Sequence, residues 1–168
     1  MTGRAIRYQG AVVRDDHLLL IQHCEHAGGR SYWLLPGGGI EAGETPQECV
    51  EREVREETHL HVQVLHLLRE DPDIPGGVYE RLHTYLCRVL AGEAQPGYEP
   101  EIEAAQEYAI VAVQWCDLRR PDTWDSEVRS DSFTCALMQR IQASLGYPDV
   151  EPSNRATSSE GPAPSPPA

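Results

Sequence analysis

Apolar and polar positions near the start of the chain fall in strand-length runs. Tyr8 to Arg14 (YQGAVVR) is followed by Asp15-Asp16, a turn pair, and then by the apolar run His17 to His23 (HLLLIQH). Together they predict a β-hairpin. Tyr32 to Leu35 is a brief extended piece that ends in Pro36-Gly37-Gly38-Gly39, a strong breaker. Thr45 then opens a helix. It is an N-cap residue, Pro46 occupies the first helical position, and Glu48 completes a Thr-x-x-Glu capping box, so the helix is expected to run to about Thr58.

Alternation returns after that helix. Val62, Val64, Leu65 and Leu67 mark a strand from His61 to Arg69, and Tyr79 to Leu90 predicts a longer one beyond an Asp71–Gly77 loop. Gly92 to Pro100 is expected to be a second loop, and Tyr108 to Trp115 (YAIVAVQW) a nearly continuous apolar strand. Ser130 to Leu145 has helical spacing, with Phe133, Leu137, Met138, Ile141 and Leu145 on one face. The pattern predicts an α/β domain over residues 1–147, with a mixed sheet and two substantial helices. From Pro148 the composition turns to Pro, Ser, Ala and Gly, so residues 148–168 are expected to form a disordered tail.

Charge narrows the range of partners. The chain of 168 residues has 27 Asp and Glu against 14 basic residues, all of them Arg. Such an acidic surface does not suit a polyanion, so no duplex nucleic-acid partner is expected. Cys24, Cys49, Cys87, Cys116 and Cys135 are odd in number, widely spaced and free of any C-x-x-C, which argues against a disulfide framework or a structural zinc site. The first residues, Met1 to Arg7, have no apolar signal-type segment, and no apolar run is long enough to span a bilayer. A soluble cytoplasmic protein with no membrane partner is the expectation.

The candidate chemistry lies between Gly37 and Leu60. At about 100° per residue, Glu53, Glu56 and Glu57 fall within an arc of roughly 100° on the helix. Cys49 lies inside that arc and Val50 and Val54 border it, so these carboxylates share the core-facing side. The alternative, a solvated acidic face, suits Glu48 and Glu51 better. Burying three carboxylates is costly unless cations offset them. Arg52 supplies one charge and cannot balance three. A hard dication with oxygen ligands, Mg²⁺ or Mn²⁺, is the natural counterpart where the ligand brings phosphates. Three glycines ahead of the helix let backbone approach such a ligand closely, although alone they signal only a tight turn.

Gly38, Glu44, Arg52-Glu53-Val54-Arg55-Glu56-Glu57 and Leu60 match the pattern G-x5-E-x7-R-E-U-x-E-E-x-G-U, with U apolar, over 23 residues. The sequence resembles the Nudix hydrolase family (MutT-like). His59 stands where that pattern has Gly, at a position expected to be a left-handed helix cap. The resemblance implies an α/β/α sandwich over most of residues 5 to 146. It also implies a metal-dependent pyrophosphohydrolase that directs water onto phosphorus in a nucleotide or nucleoside diphosphate derivative. By resemblance, Glu56 and Glu57 bind metal, with Glu53 as a further ligand or general base. Arg52 orients a helix carboxylate, Glu44 orders the loop or a metal-bound water, and a Gly37 or Gly38 carbonyl completes the shell.

Relatives often recruit a later acidic residue. Among the candidates Glu99, Glu101, Glu103 and Glu107, Glu101 is favoured, with a solvated acidic loop as the more common alternative for any one of them. Tyr32 and Trp33 are candidates for stacking on a base, with packing as the equal alternative, and Arg81 and His83 face either phosphates or solvent. Pro75 lies near where some ADP-ribose-cleaving relatives carry a proline, but its loop needs prolines in any case. The His23-Cys24-x-His26 group lacks a fourth ligand at a recognisable spacing and reads as strand-end and loop residues. The partner expected is a small phosphorylated molecule of the nucleotide class, and a homodimer is compatible with the chain. Two other readings compete. A non-catalytic nucleotide-binding or regulatory module has no need of buried carboxylates, and an acidic scaffold leaves the glycine loop and capping box unexplained.

Overall fold

The computed structural model describes residues 4–72, 77–99 and 102–148. Strands β1 (Arg4–Arg14) and β2 (His17–Glu25) form the expected hairpin. Its turn residues Asp15 and Asp16 both take positive φ, 50° and 61°, as a two-residue hairpin turn of this twist requires. β1 and β2 stay paired only near the turn, at Val13↔Leu18 and Arg14↔His17. Beyond it they part. β3 (Ser31–Leu34) pairs with β2, and the two-residue β4 (Gly37–Gly38) pairs with β1 at Tyr8 and Gln9. The chain from Ser31 to Gly38 thus crosses from one diverging strand to the other, and the glycines sit in that opening.

Three further strands complete a seven-stranded mixed sheet. β6 (Tyr79–Ala91) lies parallel to β1, β5 (His61–Pro72) runs antiparallel to β6, and β7 (Tyr108–Asp117) runs antiparallel to β2. Apolar side chains fill both faces. Val12, Leu19, Val50, Val54, Leu60, Val62, Tyr85 and Cys87 join the sheet to helix α1 (Pro46–Thr58). Ala11, Leu18, Leu20, Trp33, Leu35, Leu137, Met138 and Ile141 join its other face to helix α4 (Ser132–Ser144). Each fully buried Leu or Ile contributes about 1.5–3 kcal/mol. The α/β/α sandwich is as expected.

Local signals set the helix ends. Thr45 caps α1 by accepting from the Glu48 N–H, and the Glu48 carboxylate accepts from the Thr45 N–H at 2.8 Å. At the other end His59 is left-handed, φ 62°, and its N–H bonds Arg55 O. Three differences from the sequence expectation are local. The Ser130–Leu145 helix is two: α3 (Ser126–Ser130) stops at Asp131, whose carboxylate caps α4 through the Thr134 N–H. A short helix α2 (Ile102–Glu107) precedes β7. β1 and β5 are longer than the apolar pattern suggested, because pairing with β6 continues past the last apolar alternation. Pro75, Glu101 and residues 149–168 lie outside the described residues.

Candidate active site

The inward turn of α1 carries its carboxylates to the glycine segment. Glu53 is 1% exposed and Glu57 0%, while Glu56 is partly buried. Arg52 ties the group together. Its Nε and Nη2 grip Glu44 at 2.6 and 3.0 Å, Nη1 donates to Glu53 at 2.8 Å and to Glu56 at 3.1 Å, and Nη2 also reaches Gly39 O at 3.2 Å. One guanidinium therefore orders the helix face and the loop together. Glu57 turns the other way and accepts from the Gly37 N–H at 2.8 Å. Gly38 is needed for lack of a side chain: a β-carbon there would stand 2.5 Å from Glu53 Oε1.

The end of α1 brings in another carboxylate. The N–H groups of Gln95, Gly97 and Tyr98 bond the carbonyls of Thr58, Glu57 and Glu56, which the helix leaves without intrahelical partners. This wrap delivers Glu99 to the site, where it accepts from Tyr108 Oη at 2.6 Å and its charge acts on both Glu53 and Glu57. Among the described side chains of the downstream acids, Glu99 has this placement; those of Glu101 and Glu103 lie outside the described residues. Glu107 is exposed.

Sequence reasoning overlooked Arg7, His23 and Tyr108. The sequence pattern places His23 at a strand end; in the fold it is 2% exposed, stacks on Tyr108 with ring centres 4.0 Å apart, and places Nε2 4.0 Å from Glu57 Oε1. Its signal was a polar residue closing an apolar run. Arg7 donates to Leu35 O at 3.1 Å and is the leading opposite charge on Glu57. Its only signal was a charged residue next to Ile6 in an extended segment. Arg7, His23 and Tyr108 border a cavity of about 310 Å³ whose walls include Tyr32, Tyr79 and Phe133.

Tyr32 and Trp33 both line that cavity, although Trp33 is 8% exposed and its indole N–H bonds Glu127. Arg81 does not join the site. It is exposed and lines a separate surface depression with Glu70, Asp71, Pro72 and Glu80, because strand alternation turns its neighbour Leu82 towards the cavity instead. His83 packs edge-on against Tyr8 and lies 3.7 Å from Glu70.

The electrostatics follow from crowding. Arg7 and Arg52 face the carboxylates of Glu44, Glu53, Glu56, Glu57 and Glu99. Burial pushes the Glu53 carboxyl up to about 7 even though Arg52 pulls against it. Burial drives Glu57 well above the carboxylate range, opposed by Arg7 and the Gly37 N–H and reinforced by Glu53. Glu44, bound by Arg52, is held below its ordinary value. Burial, then Arg7, lowers His23 to about 3, so its imidazole is neutral. Burial works against the Arg7 charge, but Glu57 and its other neighbours more than offset it and its pKa is raised.

The donor set fits a hard dication. All of it is oxygen, Glu57 Oε1 is buried without a hydrogen-bond partner among the described residues, and the Gly38 backbone approaches Glu53 where a side chain would block the space. Among the described residues no three His, Cys, Asp or Glu side chains already converge as a ligand cluster; Glu53 and Glu56 are turned to Arg52.

Comparison with known proteins agrees with this geometry. The family model for the NUDIX domain matches residues 6–134, most of the chain. The chain belongs to the Nudix family. This Nudix chain is 35% identical over 96 residues to the putative nudix hydrolase 1 of Caenorhabditis elegans, covering 57% of the chain and 25% of that protein. It is 36% identical over 90 residues to the NAD-capped RNA hydrolase NudC of Photobacterium profundum, covering 53% and 32%. The chain thus spans about a third or less of these curated relatives. Among solved structures it resembles a MutT NUDIX hydrolase from Burkholderia pseudomallei, with TM-score 0.58 and 25% identity over 82% of the chain and 97% of that one. A UDP-X diphosphatase shares the fold at TM-score 0.57 and 21% identity, over 88% and 66%. No helix among the described residues is long and apolar enough to cross a membrane.

Proposed function

We propose that this Nudix protein hydrolyses the diphosphate linkage of a nucleoside diphosphate derivative with the help of Mg²⁺ or Mn²⁺. The observation that carries this reading is the buried Glu53–Glu57 pair set against the glycine segment, with Glu57 Oε1 unpartnered among the described residues. Glu53, Glu56 and Glu57 would hold the cation, and Glu99 extends the oxygen donor set. When bound, a dication polarises phosphoryl oxygens and lowers the pKa of a water.

The chain's own residues do the rest. Arg52 binds Glu53, Glu56 and Glu44, so the helix face and the glycine loop are held together before substrate arrives. The cavity beside Arg7 takes the organic part of the substrate, with Tyr32, Tyr79 and Phe133 as apolar walls. The relative named for NAD-capped RNA and the fold neighbour named for UDP-X both act next to a nucleoside diphosphate, which supports this substrate class. A net charge of −13 favours a compact substrate over a long polyanion.

The test is a panel of nucleotides, nucleotide sugars and dinucleotides with Mg²⁺ or Mn²⁺, with products resolved, for the wild type and Glu57→Gln. Glu57→Gln keeps the hydrogen bond from Gly37 and the volume, so folding is retained while turnover falls by at least about a hundredfold. Wild-type turnover in that variant, or no hydrolysis by the wild type across the panel, overturns the reading.

A further inference from the structure

Five buried side-chain atoms lack a hydrogen-bond partner among the described residues, and three of them gather at one place: Arg7 Nε, His23 Nε2 and Glu57 Oε1. Unpartnered buried polar atoms are rare, and each is costly unless a ligand or water completes it. Here two nitrogens and one carboxylate oxygen stand at the junction between the carboxylate centre and the aromatic cavity. The Glu57 oxygen belongs to the centre already described. The two nitrogens belong to neither the signature nor its carboxylates, and both side chains line the cavity.

We propose that Arg7 and His23 form an anion clamp that grips the phosphate on the cavity side of the scissile bond, the one that leaves as part of a nucleoside monophosphate. The clamp rests on the proposed hydrolysis of a nucleoside diphosphate derivative and names the half of it that occupies the cavity. Arg7 is held for this task. Its Nη2 donates to Leu35 O at 3.1 Å and its guanidinium lies 5.9 Å from the Tyr79 ring centre, which fixes the side chain and leaves Nε without an acceptor. His23 is fixed by stacking on Tyr108 and by edge contact with Tyr32 at 5.5 Å. With its proton on Nε2, His23 offers a second donor at the cavity, 4.0 Å from Glu57 Oε1. Glu57 alone would repel a phosphate, and the Arg7 charge beside it removes that repulsion.

The phosphate and the base then have separate seats. Bound at the clamp, a monophosphate places its ribose and base in the cavity of about 310 Å³, against Tyr32 and Phe133. Aromatic faces stack on any base, while the clamp demands the anion. Arg7 and His23 are therefore substrate-contacting residues outside the helix signature.

The experiment is calorimetric titration of the full chain in metal-chelated buffer with AMP, UMP, their parent nucleosides and inorganic phosphate. The clamp predicts that at least one monophosphate binds more tightly than its nucleoside by about tenfold or more, the worth of a charge-assisted contact. Arg7→Met removes that preference and leaves nucleoside binding within about twofold; Arg7→Lys retains part of it. His23→Phe keeps the stacking and loses the donor, so it tests the clamp should Arg7→Met fail to fold. Undiminished monophosphate preference in a folded Arg7→Met or His23→Phe, or no preference in the wild type, overturns the clamp. Because these titrations need no turnover, a chain that hydrolyses nothing but shows the Arg7-dependent preference retains the clamp and loses the hydrolase reading. Hydrolysis with an unaltered preference in the variants has the opposite meaning.

Discussion

His59→Gly should stabilise the protein. His59 ends α1 in the left-handed region, φ 62° and ψ 8°, where its β-carbon is crowded by its own backbone. That conformation costs a residue with a side chain about 1–2 kcal/mol. Glycine removes the cost but gains freedom in the unfolded chain, which returns roughly 0.4–1 kcal/mol. The net gain is roughly 0.5–1 kcal/mol. For a chain of this length that raises the thermal midpoint by about 1–4 °C. The His59 side chain is exposed, and its N–H bond to Arg55 O survives the change. Urea unfolding at neutral pH measures the difference, with His59→Ala as control. Alanine keeps the β-carbon and should gain nothing. An unchanged or lowered midpoint in His59→Gly refutes the strain assignment. An equal gain in alanine assigns the effect to loss of the imidazole rather than to the backbone.

Two other substitutions test the frame around the site. Gly38→Ala puts a β-carbon 2.5 Å from Glu53 Oε1, and Glu53 is pinned by Arg52, so it cannot swing clear. Turnover should fall about a hundredfold with a stability loss of about 1–3 kcal/mol; full activity with Mg²⁺ would show that Glu53 has no fixed position. Asp71 accepts from Arg69 at 2.6 and 2.8 Å and lies 3.3 Å from Arg140 on α4, joining β5 to that helix. Asp71→Asn should cost about 1–3 kcal/mol at pH 7. The Arg69 hydrogen bonds hold this carboxyl below its usual value. Its stabilising contribution is therefore complete above an unfolded pKa of about 4 and is lost as pH falls through the lower folded value. Wild type and Asp71→Asn should converge in acid, and a pH-independent gap would sink that account.

Sequence legibility followed the range of each interaction. α1 was readable to its ends because Thr45, Pro46 and Glu48 act on their own first turn, and because helical period alone turns Glu53 and Glu57 inward. The hairpin was readable for the same reason. The break at Asp131 was not, since an acidic residue inside an apolar period gives no sign that it caps rather than continues. Arg7, His23 and Tyr108 were invisible as a group. They come from β1, β2 and β7 and meet only because β2 pairs with β7 while diverging from β1. The sequence left the face of Arg81 open, because position along a strand does not tell which face a residue takes until the register with β1 and β5 is known. Arg52 was read as one charge against three; its fork reaches Glu44, Glu53 and Glu56 together, so the geometric compensation is fuller than a charge count implies.

The strap from Gln95 to Tyr98 over the last carbonyls of α1 has a consequence for how this scaffold can diverge. Its hold is main-chain to main-chain, so most side chains along it are free to vary without disturbing what it fastens. Its length is not free: inserting or deleting one residue between Gln95 and Glu99 would shift Glu99 out of reach of the helix. Gly97 is the exception to side-chain freedom, because a β-carbon there would run into the Glu56 carbonyl. Descendants of this chain can therefore repaint the strap readily, but can lengthen it only beyond Glu99.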